Sequence, residues 1–330
     1  MKTRNNASIA HQIKLKFDGM LVAGNPDKDI RSKYHDQERG LKEGDSNLYT
    51  KDKIYSFSTY RDYIKQASYF GKWAKAEHNC KLIDNARPYV NEYLQKCIDD
   101  KLSACTIKLR ASAIAKLYRC STRDFIQTPA RHRADIRRSR GEAVRDKKFL
   151  RSKDSEELIH FCRATGLRRN ELRHLRKEQL VYVEDLQSYC IRIQADAKGG
   201  RLRYIPVSDK QVLQRFRDTP AGGKVWASVH SCADIHSYRA DYATAIYKKY
   251  ARSKDELLAN RKEKIAELKA RGLKGTELTK ELNRQDSCYF CRRDLKHIVY
   301  DKEAMKIVSD ALGHTRISVI AGHYLRDEVL

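Results

Sequence analysis

The sequence predicts a mostly helical fold with a small β-sheet, an α+β protein with more than one domain. Apolar residues recur at intervals of three and four between residues 58 and 118, which is typical of helices packed on one face. Farther along, two short apolar runs flank a Lys-Gly-Gly turn, which predicts a β-hairpin. The length of 330 residues suits two or three domains, and 41% hydrophobic content with 5 prolines and 15 glycines indicates a folded chain.

The helical pattern lies in the first part of the chain. Residues 1–47 are charged and weakly periodic, and we interpret them as an N-terminal arm or flexible lead-in. Residues 48–128 are predicted to form a compact helical domain. Its helices are indicated by an apolar stripe over residues 60–74, a segment headed by Pro88, and a third segment that opens near Ser103.

A basic segment at residues 129–153 connects the two predicted domains. Acids occupy only positions 135, 142 and 146 of its predominantly basic sequence. A charge run is usually a solvated linker. This sign of charge would also suit a polyphosphate strand passing between two domains, and the two interpretations are compatible. The candidates for such contacts are Arg131, Arg133, Arg137, Arg138 and Arg140.

Residues 154–330 are predicted to form a second domain that mixes helices with short strands. A helix opens at Ser155 and ends at Thr165-Gly166. The hairpin strands lie at residues 189–193 and 202–207.

Two further helical features follow in this domain. Residues 251–286 carry two strongly charged helical stretches broken at Gly272, for which a solvated helical hairpin is favoured over a partner-binding coil. Asp301 is an N-cap candidate for a helix that runs to Leu312.

The net charge of the chain limits the kinds of partner that it is expected to bind. The chain has 68 Lys and Arg against 43 Asp and Glu, a formal net charge of +25, which indicates a polyanion such as nucleic acid or an anionic membrane surface. No run approaches the ~18 apolar residues of a membrane span, and the first thirty residues lack the core of a signal peptide. The nine scattered cysteines are interpreted as reduced thiols, so we expect a cytoplasmic protein.

Four local patterns combine residues that could carry chemistry. The first places Arg168 after a glycine turn with Glu171 three residues later, which on a helix is also an ordinary ion pair. The second is Lys198 at the hairpin tip. The third pairs His236 with Arg239 on one helical face. The fourth is a Leu-Gly-His segment ending at His314, followed ten residues later by Tyr324.

The order of these patterns resembles the tyrosine recombinase (phage integrase) family. The matching segments are TGLRRNEL at 165–172, AKGGRLRYIPV at 197–207, HSYR at 236–239, LGHTRISV at 312–319, and Tyr324. The resemblance implies a helical core-DNA-binding domain and a catalytic domain that form a clamp on DNA.

The resemblance also implies a role for each site residue. Arg168 and Arg239 would neutralise charge on the scissile phosphate, which paired guanidiniums do with forked donors. Tyr324 would be the nucleophile and Lys198 the general acid for the leaving 5′-oxygen. The remaining roles are proton transfer or phosphate contact by His236, a hydrogen bond to the phosphate from His314, and orientation of Arg168 by Glu171.

The implied activity is site-specific DNA recombination through a covalent 3′-phosphotyrosyl intermediate. The family resemblance predicts an integrase that inserts or excises a mobile genetic element, acting as a homotetramer on two DNA duplexes. Accessory DNA-bending proteins are possible partners, and a nucleoid-associated cytoplasmic location is expected. The chemistry requires neither a metal nor a nucleotide cofactor.

Several features depart from the family's common form. His323 occupies the position nine residues after His314, where bacterial members usually have tyrosine, and Tyr300 precedes the Leu-Gly-His segment. Residues 251–286 are an insertion within the catalytic domain. Six residues follow Tyr324, too few for a helix that packs on a neighbouring subunit, so the insertion is a candidate for coupling subunits.

Parts of the sequence are also compatible with two other activities and with a zinc site. A type IB topoisomerase shares the chemistry but relaxes DNA without defined strand exchange, and a catalytically silent DNA-binding protein would share the fold. The intact set of six residues counts against the silent protein. Cys288, Cys291 and His297 could suggest zinc, but a structural zinc site needs four ligands, so thiols of the core or surface are the simpler account.

Overall fold

The computed structural model describes residues 7–22, 30–45, 48–132, 143, 145–151, 154–194, 202–291, 296–314 and 316–325. The chain divides into two compact units, residues 1–135 and 136–330. Both contain helices, and the second also carries small antiparallel sheets. The predicted mostly helical α+β fold is confirmed.

The first unit is a bundle of helices. They are α1 (Ile9–Asp18), α2 (Ile30–Lys42), α3 (Phe57–His78), α4 (Val90–Asp99) and α5 (Ala104–Leu117). The Ser56 side chain accepts a hydrogen bond from the Thr59 amide at the start of α3, and Ser103 caps α5 in the same way. Pro88 lies in a 3₁₀ turn immediately before α4. The three helices predicted between residues 58 and 118 are therefore present.

Helix α1 belongs to the core of this unit. Ile9, Ile13 and Phe17 are buried along one of its faces. At Gly71 of α3 an added Cβ would lie 2.4 Å from Ile9 Cγ2, so the two helices approach closely there. The interpretation of residues 1–47 as an arm or lead-in is wrong for this helix, because its three apolar residues pack on α3 although charged residues separate them.

The second unit contains a three-stranded antiparallel sheet in the order β1 (Leu180–Val183), β2 (Ser188–Ile193) and β3 (Arg203–Pro206). Ile191 pairs with Ile205 across β2 and β3, and both side chains face the core. The predicted hairpin is therefore present. Its tip, residues 195–201, lies outside the described residues.

Helices pack around this sheet. They are α6 (Asp154–Thr165), α7 (Arg169–His174), α8 (Lys210–Asp218), α9 (Ile235–Tyr250), α12 (Lys302–Ala311) and α13 (Ser318–His323). Asp301 caps α12, as predicted, and accepts hydrogen bonds from the amides of Glu303 and Ala304. The core around α6, α9 and α12 includes Phe161, Tyr238 and Met305.

The predicted insertion consists of α10 (Lys254–Ala270) and α11 (Gly275–Gln285). Gly272 between them has φ +85°, a conformation that glycine adopts without strain. Leu257, Leu268 and Leu282 are buried, whereas most other side chains of the two helices are exposed. The insertion is therefore a solvated helical hairpin held by a thin apolar seam.

A short hairpin of β4 (Cys288–Phe290) and β5 (Val299–Asp301) leads from the insertion back into α12. Among the described residues, no helix has the length and apolar character needed to cross a membrane.

Candidate active site

Arg168 stands at the entry to α7, directly after a glycine turn. Gly166 has φ +60°, and an added Cβ there would lie 2.2 Å from the ring of Tyr242, so this turn admits only glycine without rearrangement. The Arg168 amide donates to Glu171 Oε2 at 2.7 Å, and its Nη1 donates to Glu171 Oε1 at 2.8 Å. The predicted pairing of Arg168 with Glu171 is confirmed.

Glu171 is completely buried and carries a second arginine. Arg203 of β3 donates from Nη1 to Oε1 at 3.0 Å and from Nη2 to Oε2 at 2.6 Å. Burial raises the pKa of the Glu171 carboxyl, but the hydrogen bonds and charge of Arg203, together with those of Arg168, outweigh it and lower the pKa to about 2. The carboxylate is therefore ionised at neutral pH and holds two guanidiniums.

Arg203 was not among the predicted site residues. A signal was present in the sequence, because Arg203 and Ile205 alternate with Tyr204 and Pro206 along β3. An arginine at an inward position of a strand requires a buried partner.

Arg239 projects from α9 and is almost completely buried. Its Nη1 donates to the Gly166 carbonyl, its Nη2 donates to the Leu312 carbonyl at 2.5 Å, and its Nε lies 3.4 Å from the Tyr324 hydroxyl. Burial lowers the pKa of Arg239 to about 10, partly opposed by the nearby Tyr324. The guanidinium therefore stays charged at neutral pH although it is enclosed.

The Leu312 carbonyl joins the two predicted arginines. It accepts from Arg168 Nη2 at 3.0 Å as well as from Arg239 Nη2. Gly313, with φ +66°, turns the chain immediately afterwards. The His314 amide then donates to the Ser309 carbonyl at 2.8 Å, which ties the turn to the end of α12. One backbone oxygen thus fixes the spacing of two cationic side chains.

Tyr324 follows α13 and is 4% exposed. The Arg239 guanidinium lies 5.5 Å from the centre of its ring. The ring centres of His314 and His236 lie 5.2 Å and 6.4 Å from that of Tyr324. The structure therefore brings His236, Arg239, His314 and Tyr324 together, although they come from three separate segments of the chain.

The two alternative positions for the nucleophile lie elsewhere. His323, nine residues after His314, is exposed, whereas its neighbour Tyr324 is buried next to Arg239. Tyr300 is completely buried in β5, with its ring edge-on to Tyr247 at 5.6 Å. Tyr324 therefore has its hydroxyl next to the Arg239 guanidinium.

Some predicted site residues are not placed with this group. Lys198 and four of the five basic candidates, Arg133, Arg137, Arg138 and Arg140, lie outside the described residues. Arg131 is described and exposed, and it belongs to the first unit. These assignments stay predictions.

Cys288 and Cys291, in and after β4, are both buried. Cys288 is buried and its Sγ lies 3.4 Å from the Leu257 carbonyl, while burial raises its thiol pKa to about 11. Cys291 is also buried, and His297 is exposed. Within the described ranges no group of three or more His, Cys, Asp or Glu could hold a metal ion.

The fold and the site define a basic, mostly helical protein in which one guanidinium and two imidazoles lie next to a buried tyrosine. No family model matches the chain, and no curated protein matches it. A search of solved structures finds the crystal structure of XerA recombinase, with 13% identity, a TM-score of 0.30, and coverage of 90% of this chain and 95% of that chain. At that TM-score the two structures share too little for the likeness to inform the function.

Proposed function

We propose that this protein is a site-specific DNA recombinase of the tyrosine type, an integrase that inserts or excises a mobile genetic element. The observation that carries the proposal is the contact between the Arg239 guanidinium and Tyr324, with Arg168 fixed on the same Leu312 carbonyl. A phenol next to one fixed guanidinium, with a second guanidinium held on the same carbonyl, suits attack on a phosphodiester. The N–H donors of both groups can stabilise the negative charge that develops on the phosphate oxygens.

The cleavage step begins with charge neutralisation. Each terminal guanidinium nitrogen carries two hydrogens, so a contact with the Leu312 carbonyl leaves a second hydrogen available to a phosphate oxygen. Arg168 and Arg239 would bind the non-bridging oxygens of the scissile phosphate in this way. Glu171 holds the Arg168 side chain in place and does not contact DNA.

Bond exchange then follows at phosphorus. The Tyr324 hydroxyl loses its proton and forms a bond to phosphorus, while the bond from phosphorus to the 5′-oxygen breaks. The rings of His236 and His314 adjoin Tyr324. His236 would accept the proton of the phenol, and His314 would donate a hydrogen bond to the phosphate. Lys198 would protonate the departing 5′-oxygen. The product is a 3′-phosphotyrosyl DNA with a free 5′-hydroxyl, which can be rejoined to another strand.

The resemblance to the tyrosine recombinase family implies the partners. Double-stranded DNA bearing core recombination sites is the proposed substrate, bound by a homotetramer on two duplexes, with accessory DNA-bending proteins as possible additions. No nucleotide or metal is required, because the phosphodiester energy is stored in the phosphotyrosine bond.

A nicked suicide substrate tests the nucleophile. The wild-type protein should form a covalent DNA adduct that resists denaturation, and Tyr324→Phe should form none, because the attacking oxygen is removed. Tyr300→Phe is the matched control and should retain the adduct. An adduct that persists in Tyr324→Phe would show that another residue attacks. No adduct on any DNA would favour a silent DNA-binding protein, and sequence-independent plasmid relaxation would favour a type IB topoisomerase.

A modified leaving group tests Lys198. Lys198→Ala should slow cleavage of a normal 5′-oxygen leaving group but cleave a 5′-bridging phosphorothiolate at nearly the wild-type rate, because a thiolate leaves without a proton. Equal slowing on both substrates would contradict the role of general acid.

A further inference from the structure

Arg203 is the least expected charged group of the site. It is 7% exposed, and both of its terminal nitrogens are committed to the Glu171 carboxylate. Such a two-pronged pair is the strongest geometry that arginine offers a carboxylate. Arg203 is also nearer the interior than Arg168, whose side chain is 20% exposed.

The two arginines share the same two carboxylate oxygens. Oε1 of Glu171 accepts from Nη1 of Arg203 and from Nη1 of Arg168, while Oε2 accepts from Nη2 of Arg203 and from the Arg168 amide. Arg203 thus holds the carboxylate from the interior and Arg168 holds it from the side of the site. The position of Arg168 depends on that of Glu171.

Arg203 also maintains the charge on Glu171. Burial raises the pKa of this carboxyl, and the largest opposing effects are the hydrogen bonds and charge of Arg203. Without them Arg168 would be the remaining hydrogen-bonded cation, and Arg239 would contribute through its charge. A carboxyl that is enclosed and has one partner takes up a proton more readily, and a protonated Glu171 can no longer accept from every donor around it.

The same side chain supports the turn that carries the Leu312 carbonyl. A Cβ added at Gly313 would lie 3.1 Å from Cδ and from Nη1 of Arg203. Arg203 is therefore packed beneath this turn as well as against Glu171. Both groups that accept from Arg168, the carboxylate and the Leu312 carbonyl, have Arg203 next to them.

We infer that Arg203 is a positioning residue for Arg168: it keeps Glu171 ionised and fixed, and Glu171 in turn aims Arg168 at the phosphate. The inference rests on the proposed function for the identity of the anion that Arg168 binds. The effect of Arg203 on Glu171 does not depend on that function.

Single-turnover cleavage across pH tests the inference on the proposed substrate. Relative to wild type, Arg203→Met should cleave roughly tenfold more slowly near neutral pH, an effect typical of residues that orient a functional group, and the deficit should widen as the pH falls and Glu171 gains a proton. DNA affinity should change less than twofold or so, because Arg203 does not reach the ligand.

The double variant Arg203→Met, Glu171→Gln separates positioning from a general structural defect. Its cleavage rate relative to that of Glu171→Gln should not depend on pH, since the titrating group is absent. Arg203→Lys, which keeps the charge but not the fork, should lie between wild type and Arg203→Met. Parallel pH profiles for wild type and Arg203→Met would overturn the inference.

Carbon-13 NMR of the Glu171 carboxyl, assigned with Glu171→Gln, provides a readout that needs no DNA. In wild type the carboxyl should remain ionised between about pH 4 and about pH 8, whereas in Arg203→Met or Arg203→Lys it should titrate within that range. An unchanged, ionised signal in both variants would overturn the inference. If the signal shifts but wild type cleaves no DNA, the proposed function fails and the role of Arg203 toward Glu171 stands.

Discussion

Backbone carbonyls hold the most deeply buried arginine of the site. Arg239 donates to Gly166 and Leu312, both neutral acceptors, so none of its charge is cancelled by a carboxylate there. Arg168 shares Glu171 with Arg203, which leaves an excess of one positive charge in that cluster. A site built in this way retains positive charge for an anionic ligand.

Gly166 lies in a tight turn against the ring of Tyr242. Gly166→Ala should reduce the free energy of unfolding of the second unit by about 3 kcal/mol or more, because it combines a left-handed φ with a contact of 2.2 Å to Tyr242. Gly222 is the matched control, since it has φ +69° but open space around its Cβ position. Gly222→Ala should lose only about 1 kcal/mol. Urea unfolding would measure both, and equal losses would contradict the steric argument.

The ionisation of Glu171 makes the free energy of unfolding depend on pH. Its pKa in the fold, about 2, lies below the ordinary value of 4.5, so the ionised carboxylate stabilises the folded state above about pH 4.5 and that contribution disappears as the pH falls toward 2. The full contribution is about 3 kcal/mol. Glu171→Gln should therefore be less stable than wild type at neutral pH, with a gap that narrows in acid.

Urea unfolding at neutral pH and at about pH 4 would test this pH dependence. Glu267→Gln is a suitable control, because Glu267 pairs with Lys264 at the surface and is half exposed, and it should show almost no gap. A constant gap for Glu171→Gln across pH would point to lost packing in place of lost charge.

The sequence predicted which side chains lie close together in the fold better than it predicted the groups that hold them. Arg168, His236, Arg239, His314 and Tyr324 carry recognisable side chains in a recognisable order. The Leu312 and Gly166 carbonyls could not be predicted, because every residue has a carbonyl and only the folded chain decides which one faces an arginine. Arg203 stands at an inward position of β3, and a buried arginine there indicates a buried acceptor, so this support could be predicted from the sequence.

At the scale of elements, helix α12 connects the insertion to the site. Asp301 caps α12 and also accepts from Arg252, at 2.7 Å from Nε and 2.9 Å from Nη2, at the start of the insertion. The other end of α12 leads to Leu312 and its shared carbonyl. One buried carboxylate therefore anchors the base of the insertion and the helix that reaches the arginines.

Asp301→Asn tests this anchor. The amide can still cap the helix, but its nitrogen cannot accept from Arg252, so the second unit should lose about 3 kcal/mol of unfolding free energy. Asp209→Asn is the matched control, because Asp209 caps α8 through Gln211 and Val212 and has only the partly exposed His160 as an ion-pair partner. It should lose less than about 1 kcal/mol. Thermal unfolding would measure both variants, and a similar loss in each would assign the effect to capping alone.

The predictability of the elements depended on the length and continuity of their patterns. Helix α3 was predicted because its apolar stripe runs over several turns from a serine cap. Helix α1 was not, because three apolar residues at intervals of four are separated by lysines and a histidine, and only packing against α3 shows that they form a face. Short amphipathic helices take much of their stability from such tertiary contacts.

At the scale of the whole molecule, most of the positive charge lies away from the site. Arg168, Arg203, Arg239 and Glu171 together contribute a net charge of two, against +25 for the chain. Charge distributed in this way strengthens binding to a polyanion without selecting its sequence. If the protein binds DNA as proposed, affinity should come mainly from the distributed charge and chemistry from the site.

The salt dependence of DNA binding tests whether affinity comes mainly from this distributed charge. Replacing Arg137, Arg138 and Arg140 with glutamine should make the negative slope of log K against log salt shallower by roughly 2 to 3 if each arginine neutralises a phosphate. Binding to cognate and to unrelated duplexes should weaken by the same factor. The matched control replaces three basic residues of the insertion that are already paired with a glutamate, namely Lys264, Arg271 and Arg284. Both triple variants lose the same formal charge. A slope that falls in the first variant alone assigns phosphate contacts to the basic segment, whereas equal slopes in both would show that only the total charge matters.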